Sequence, residues 1–160
     1  MLKFLFFVLS ALPIIAFAQP KADRVIVSKT ESKLYLMSDH EVFRAFKVAF
    51  GNNPVGHKQH EGDERTPEGE YVLDYKNDGS SFYKSIHISY PNENDINLAK
   101  KKGVDPGGLI MIHGQRNGFG WLSSITQYFN WTDGCIAITN SEMDEIWEAV
   151  DIGTPIEIMP

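Results

Sequence analysis

Cysteine is almost absent from this chain: Cys135 is the single one in 160 residues. One cysteine excludes an internal disulfide. Basic charge is also short, with 15 Lys and Arg against 21 Asp and Glu and a net charge of −6. That balance excludes the basic face that nucleic acid requires, so no nucleic-acid partner is expected. Long apolar runs are missing everywhere except the N-terminus. There, MLKFLFFVLSALPIIAFAQP carries Lys3, a run of about 14 apolar residues and the small-x-small site Ala16-Phe17-Ala18. The run is shorter than the roughly 20 residues a spanning helix needs. It reads as a secretory signal peptide over residues 1–18, cleaved after Ala18, with one domain over residues 19–160. No membrane anchor is expected after cleavage, and the location implied is periplasmic or secreted. Repeats and low-complexity tracts are absent.

The remaining pattern is short strands with few, late helices. Val25–Val27, Lys33–Met37, Val42–Phe50, Tyr71–Tyr75, Phe82–Tyr90, Leu109–Ile112 and Pro155–Met159 read as strands. Ser38-Asp39-His40 reads as a hairpin turn. Helices are expected at Asn94–Lys102, ended by Gly103, and at Leu122–Phe129. The clearest one is Ser141–Val150, with Ser141 as N-cap and Asp144 three residues on. The fold class expected is mainly β, a mostly antiparallel sandwich or barrel with short helices.

Export gives the lone cysteine meaning. In an oxidising compartment an unpaired thiol is either reactive or buried as a small hydrophobe. Its setting, WTDGCIAIT, puts Gly134 before it and an apolar run after it, so Cys135 stands at the mouth of a strand. A thiol needs a base or a positive charge to become a nucleophile. In LIMIHGQRNG, His113 ends an apolar strand and Gly114 follows. If the two strand ends are sheet neighbours, cysteine and histidine meet.

The order IHG, about twenty residues, then Thr-Asp-Gly-Cys-Ile resembles the L,D-transpeptidase catalytic domain family. RTPEGEYVL and SIHISYPNENDINLAKKKGVDPGGLIMIHG resemble that family's upstream segments, so the likeness runs from Val25 to Pro160. The resemblance implies a β-rich sandwich and action on peptidoglycan stem peptides. It implies that Cys135 attacks the carbonyl at the L centre of the third residue and expels D-alanine. An amine, as in a transpeptidase, or water, as in a carboxypeptidase, then resolves the acyl-enzyme. His113 is the implied base, with the Gly114 carbonyl orienting it. The backbone N–H groups of Gly134 and Cys135 are the implied oxyanion donors, and Thr132 and Asp133 are placed against the substrate.

Two positions depart from the commonest family pattern. Asp133 stands where histidine is usual, and Ala137 where arginine is usual; Gly-Cys-Ile-Ala resembles a branch with trimming or detaching enzymes. Arg65 and Arg116 are the candidate substitutes for the missing cation, against a reading of each as a solvated charge. Asp133 either binds a substrate amine or caps a turn. His87 is either a second site histidine or a hydrogen bonder on a strand face. Trp121 and Trp131 are candidates to wall the groove. His57 and His60 sit i, i+3 in a loop and read as loop residues, so neither a metal nor a cofactor is expected. A family fold retained as a non-catalytic wall-binding module is the rival reading.

Overall fold

The computed structural model describes residues 20–160, so the signal-peptide assignment lies outside the described residues. Eight strands form one curled sheet: β1 Arg24–Ser28, β2 Lys33–Ser38, β3 Glu41–Lys47, β4 Gly69–Asn77, β5 Ser85–Ile88, β6 Met111–His113, β7 Ile136–Ala137 and β8 Pro155–Met159. Their order is β3-β2-β1-β8-β4-β5-β6-β7. All pairs are antiparallel except β1 with β8 and β6 with β7. The chain just beyond β3 then reaches the far edge: Ala49 and Ala137 exchange backbone hydrogen bonds of 2.9 and 2.8 Å. This isolated bridge links the two ends of the sheet just beyond β3. The mainly β expectation holds, in the curled, barrel-like form.

Period-two alternation builds the interior. Val25 pairs with Leu36 on one side and Ile156 on the other, and Val27 with Leu34 and Ile158. All six are fully or almost fully buried. Each such side chain contributes about 1.5–3 kcal/mol when removed from water. Helix α3, Asn140–Ala149, seals this interior with Met143, Ile146 and the following Val150.

Several boundaries differ from expectation. The N-cap of α3 is Thr139, whose hydroxyl accepts from the Glu142 N–H, while Glu142 reaches back to the Thr139 N–H. Thr139 has the extended backbone a cap needs, so the helix starts two residues earlier than Ser141 predicts. Asp144 is used elsewhere, accepting from Tyr83 Oη and Lys84 Nζ. Helix α1, Glu93–Lys102, begins one residue before the expected Asn94, at an Asn92–Asp95 capping box, and ends on left-handed Gly103 as the sequence suggests. Leu122–Phe129 yields only a 3₁₀ turn, Gly120–Leu122, and one helical turn, α2 Ser123–Thr126. β5 is shorter than Phe82–Tyr90 because Tyr83 takes a positive φ of 69°. β6 starts after Leu109, which has φ 55° and is 71 % exposed.

The loop between β3 and β4 packs behind the cleft described below, and two buried lysines hold it. Lys29 Nζ donates to the Gly56 carbonyl, the Thr66 carbonyl and Glu68. Lys58 Nζ donates to the His60 carbonyl and to Asp63 at 2.8 Å. Burial alone raises the Asp63 carboxyl, but the Gln59 N–H, Lys58 and the N–H groups of Arg65 and His60 outweigh it and hold the pKa at about 2. Since unfolded Asp63 returns to about 3.8, the unfolded chain binds more protons between these values. Asp63→Asn leaves Lys58 buried without its counter-ion, a loss of about 3 kcal/mol at neutral pH. The gap between wild type and variant is full above about pH 4 and narrows as pH falls toward 2. Urea unfolding at pH 7 and near pH 2.5 checks this; an unchanged gap contradicts it.

Candidate active site

Parallel pairing of β6 and β7 sets Ile112 beside Ile136 and His113 beside Ala137. The Ile138 N–H donates to the His113 carbonyl at 2.9 Å and fixes the register. Cys135 immediately precedes β7, so thiol and imidazole open into the same cleft, with a volume of about 450 Å³. The neighbouring strand ends foreseen from the sequence are therefore these two.

His113 is 5 % exposed. Its Nδ1 lies 2.7 Å from the Gly114 carbonyl, which can only accept, so Nδ1 carries the proton and Nε2 keeps a lone pair. The ring packs between Phe82, at 4.7 Å, and Trp131, at 5.8 Å. Gly114 cannot carry a side chain: a Cβ there would stand 2.7 Å from Asn140 Oδ1 and 2.9 Å from Tyr83 Cβ. Burial pushes the imidazole below its ordinary 6.5, only partly opposed by the Gly114 carbonyl.

Cys135 is partly exposed. Its Sγ accepts the Met111 N–H at 3.4 Å and donates to the Leu109 carbonyl at 3.6 Å. Burial raises the thiol above its ordinary 9.0, the Met111 N–H opposes this, the Asp133 carboxylate adds to it and Lys58 offsets part. The resting pair is therefore a thiol and a neutral imidazole. A buried neutral histidine stays a competent base at lower pH than a solvated one. The acid limb of a pH–rate profile for acylation of Cys135 is expected below pH 6.5. A limb at or above that value contradicts the assignment.

The turn before the cysteine is held from three sides. Thr66 Oγ1 donates to the Gly134 carbonyl at 2.8 Å, Thr132 Oγ1 donates to the Cys135 carbonyl at 2.7 Å, and the Gly134 N–H donates to Thr132 Oγ1 at 3.2 Å. Of the two N–H groups expected to face an oxyanion, that of Gly134 is thus engaged inside the turn. The Cys135 N–H makes no hydrogen bond among the described residues. Thr132 lines the cleft but its hydroxyl serves the backbone.

The remaining candidates separate. Asp133 and Trp131 line the cleft; Arg65, Arg116, His87 and Trp121 do not. Arg65 touches the turn through its backbone carbonyl, and its Nε is buried without a partner. Arg116 lies over the Phe119 ring at 6.0 Å. His87 bonds Asp74 at 2.7 Å and stacks on Tyr75. Trp121 is 76 % exposed. His57 accepts the Glu68 N–H and contacts Asp95 at 3.0 Å. No cluster of three or more metal-ligating side chains occurs among the described residues. Sequence reasoning missed the Met111 N–H, Thr66 and Phe82. Thr66 alone had a signal, lying inside the quoted RTPEGEYVL.

Comparison with known proteins agrees with this geometry. The L,D-transpeptidase catalytic domain (YkuD) family matches residues 22–158. The protein named "Putative L,D-transpeptidase YafK" of Escherichia coli (strain K12) is 31 % identical over 113 residues, which is 69 % of this chain and 38 % of YafK. The helical cell shape determining protein Pgp2 of Campylobacter jejuni superposes with a TM-score of 0.63 at 26 % identity, over 84 % of this chain and 46 % of that one. An L,D-transpeptidase of Xylanimonas cellulosilytica shares the fold, with a TM-score of 0.57 at 19 % identity, over 88 % of this chain and 61 % of its own. The chain thus spans less than half the length of YafK and Pgp2. A family match that takes in nearly the whole curled sheet, with the cysteine and histidine cleft inside it, makes this chain a member of the L,D-transpeptidase catalytic domain family.

Proposed function

We propose that the protein is an exported peptidoglycan-modifying enzyme, periplasmic or secreted, that forms an acyl-thioester on Cys135. The observation that carries this reading is the pairing of Cys135 with His113 in one cleft, the imidazole held by the Gly114 carbonyl with Nε2 unprotonated.

The substrate read from the family is a tetrapeptide stem. Cys135 Sγ attacks the carbonyl carbon at the L centre of its third residue, and the thiol proton passes to His113 Nε2. The Met111 N–H supports the sulfur as charge grows on it. The unengaged Cys135 N–H suits the developing oxyanion, a role worth about 10²–10³ in rate for one such donor. Collapse breaks the peptide C–N bond, and His113 returns its proton to the departing D-alanine amine. An amine or water, deprotonated by the same Nε2, then attacks the thioester carbonyl and restores the thiol. An amine gives a cross-link and water gives a tripeptide. Pgp2 is by name a determinant of helical cell shape, and wall remodelling that shapes the cell is the corresponding biological role here.

Mass analysis of products from a disaccharide tetrapeptide tests the reading. Cross-linked dimers identify a transpeptidase, and tripeptide plus D-alanine a carboxypeptidase. Cleavage at any other bond contradicts the assigned carbonyl. Binding without product from a folded protein points instead to a wall-binding module.

A further inference from the structure

The cleft has an unusual charge inventory. Among its lining residues the single formal charge at neutral pH is the carboxylate of Asp133. The other lining side chains are uncharged: the Asn77 amide, the hydroxyls of Ser80, Ser81, Ser85 and Thr132, aromatic and aliphatic groups, and a neutral His113. Among the described residues no lysine or arginine lines the cleft. Lys58, whose charge reaches the thiol, is 3 % exposed and already bonded to Asp63 and the His60 carbonyl. Asp133 itself is exposed, and among the described residues it makes no ion pair. Nor does its side chain cap the turn, since the turn's side-chain bonds come from Thr66 and Thr132.

An unpaired carboxylate beside a nucleophilic cysteine works against the thiolate, because like charges repel. It is useful where a cation arrives with the substrate. We propose that Asp133 is an ammonium subsite, selecting a substrate that carries a free primary amine within reach of the Cys135 thiol. This rests on the acyl-thioester reading for its substrate and deepens it. A docked ammonium offsets the negative field on Cys135, so binding of the correct group also eases ionisation of the thiol. Among the described residues the same cleft offers no cationic side chain to pair with a carboxylate, so charge selection there favours a cation. The amine has two sources in this chemistry: the side chain of the donor stem's third residue, or the acceptor.

Charge-tagged thiol reagents test the subsite without any peptidoglycan. A methanethiosulfonate forms a mixed disulfide with Cys135 and releases methanesulfinate, so its rate reads access and local field. After normalisation to a free thiol, the aminoethyl reagent is expected to modify Cys135 about tenfold faster than the sulfonatoethyl reagent, the order expected for charges a few ångströms apart in a water-like dielectric. In Asp133→Asn the ratio is expected to fall to about one. A ratio near one in the wild type, or one unchanged in the variant, overturns the subsite.

Stem peptides then identify the source of the amine. If acetylating the donor's side-chain amine slows adduct formation in the wild type but not in Asp133→Asn, the donor supplies it. If adduct formation is unaffected while Asp133→Asn shifts products from cross-link to hydrolysis, the acceptor supplies it. Turnover that is unaffected by donor acetylation in the wild type, with an unchanged ratio of cross-link to hydrolysis in Asp133→Asn, overturns the proposal. Charge-selective labelling with no turnover of any stem peptide upholds the subsite and overturns the peptidoglycan reading instead.

Discussion

Cys135→Ala is expected to abolish turnover, by at least about a thousandfold, while the protein stays folded. The two halves of that result have separate causes. The thiol makes only two long contacts, 3.4 Å from the Met111 N–H and 3.6 Å to the Leu109 carbonyl. It is partly exposed and contributes little to the interior. Its removal costs no more than about 1 kcal/mol. Chemistry, by contrast, has no equivalent, because Cys135 is the single cysteine in the chain and no other side chain carries a thiol. Urea unfolding and D-alanine release, measured on one preparation, check both halves. Residual release above a hundredth of the wild-type rate contradicts the nucleophile assignment.

Gly134→Ala is the second large effect, and it reverses the pattern: the thiol remains but its platform moves. Gly134 has φ 119°, a region costly for any residue with a side chain. A Cβ there would also lie 2.5 Å from the Arg65 carbonyl oxygen, which is backbone and has little room to yield. Strain and clash together are expected to cost about 3 kcal/mol or more. The displaced turn carries Cys135 with it, and a shift of about 1 Å is worth roughly a hundredfold in rate. Gly62→Ala is the control, since Gly62 also has positive φ, 77°, but nothing lies within 4 Å of its Cβ position. That change is expected to cost only about 1 kcal/mol and to leave turnover intact. Equal losses for the two variants would mean that the Arg65 contact plays no part.

What was legible in the sequence follows from which physical signals are local. β8 stands at Pro155–Met159 as read, because two buried isoleucines alternate with outward residues. Helix α1 was readable from Gly103, a positive-φ C-cap. Cys135 and His113 were readable because side-chain chemistry is scarce: one thiol, and one histidine at the end of an apolar strand. The 3.4 Å Met111 N–H contact was not, since a backbone donor has no residue signature. Nor was the failure of β6 to start at Leu109, where a positive φ overrides an apolar side chain. Arg65, Arg116 and His87 sit beside site motifs in sequence but outside the cleft in space: Arg65 meets the turn only through its backbone carbonyl, Arg116 lies over Phe119, and His87 bonds Asp74. Asp133 kept its place in the cleft because it is close to Cys135 in the chain and no cation among the described residues pairs with it.

Intact-protein mass spectrometry after incubation with disaccharide tetrapeptide, run beside Cys135→Ala, tests the thioester most directly. The expected result is an adduct on the wild type equal to the stem less D-alanine, absent from the variant. An adduct that persists in Cys135→Ala, or D-alanine released by both proteins alike, would contradict a cysteine nucleophile in this cleft.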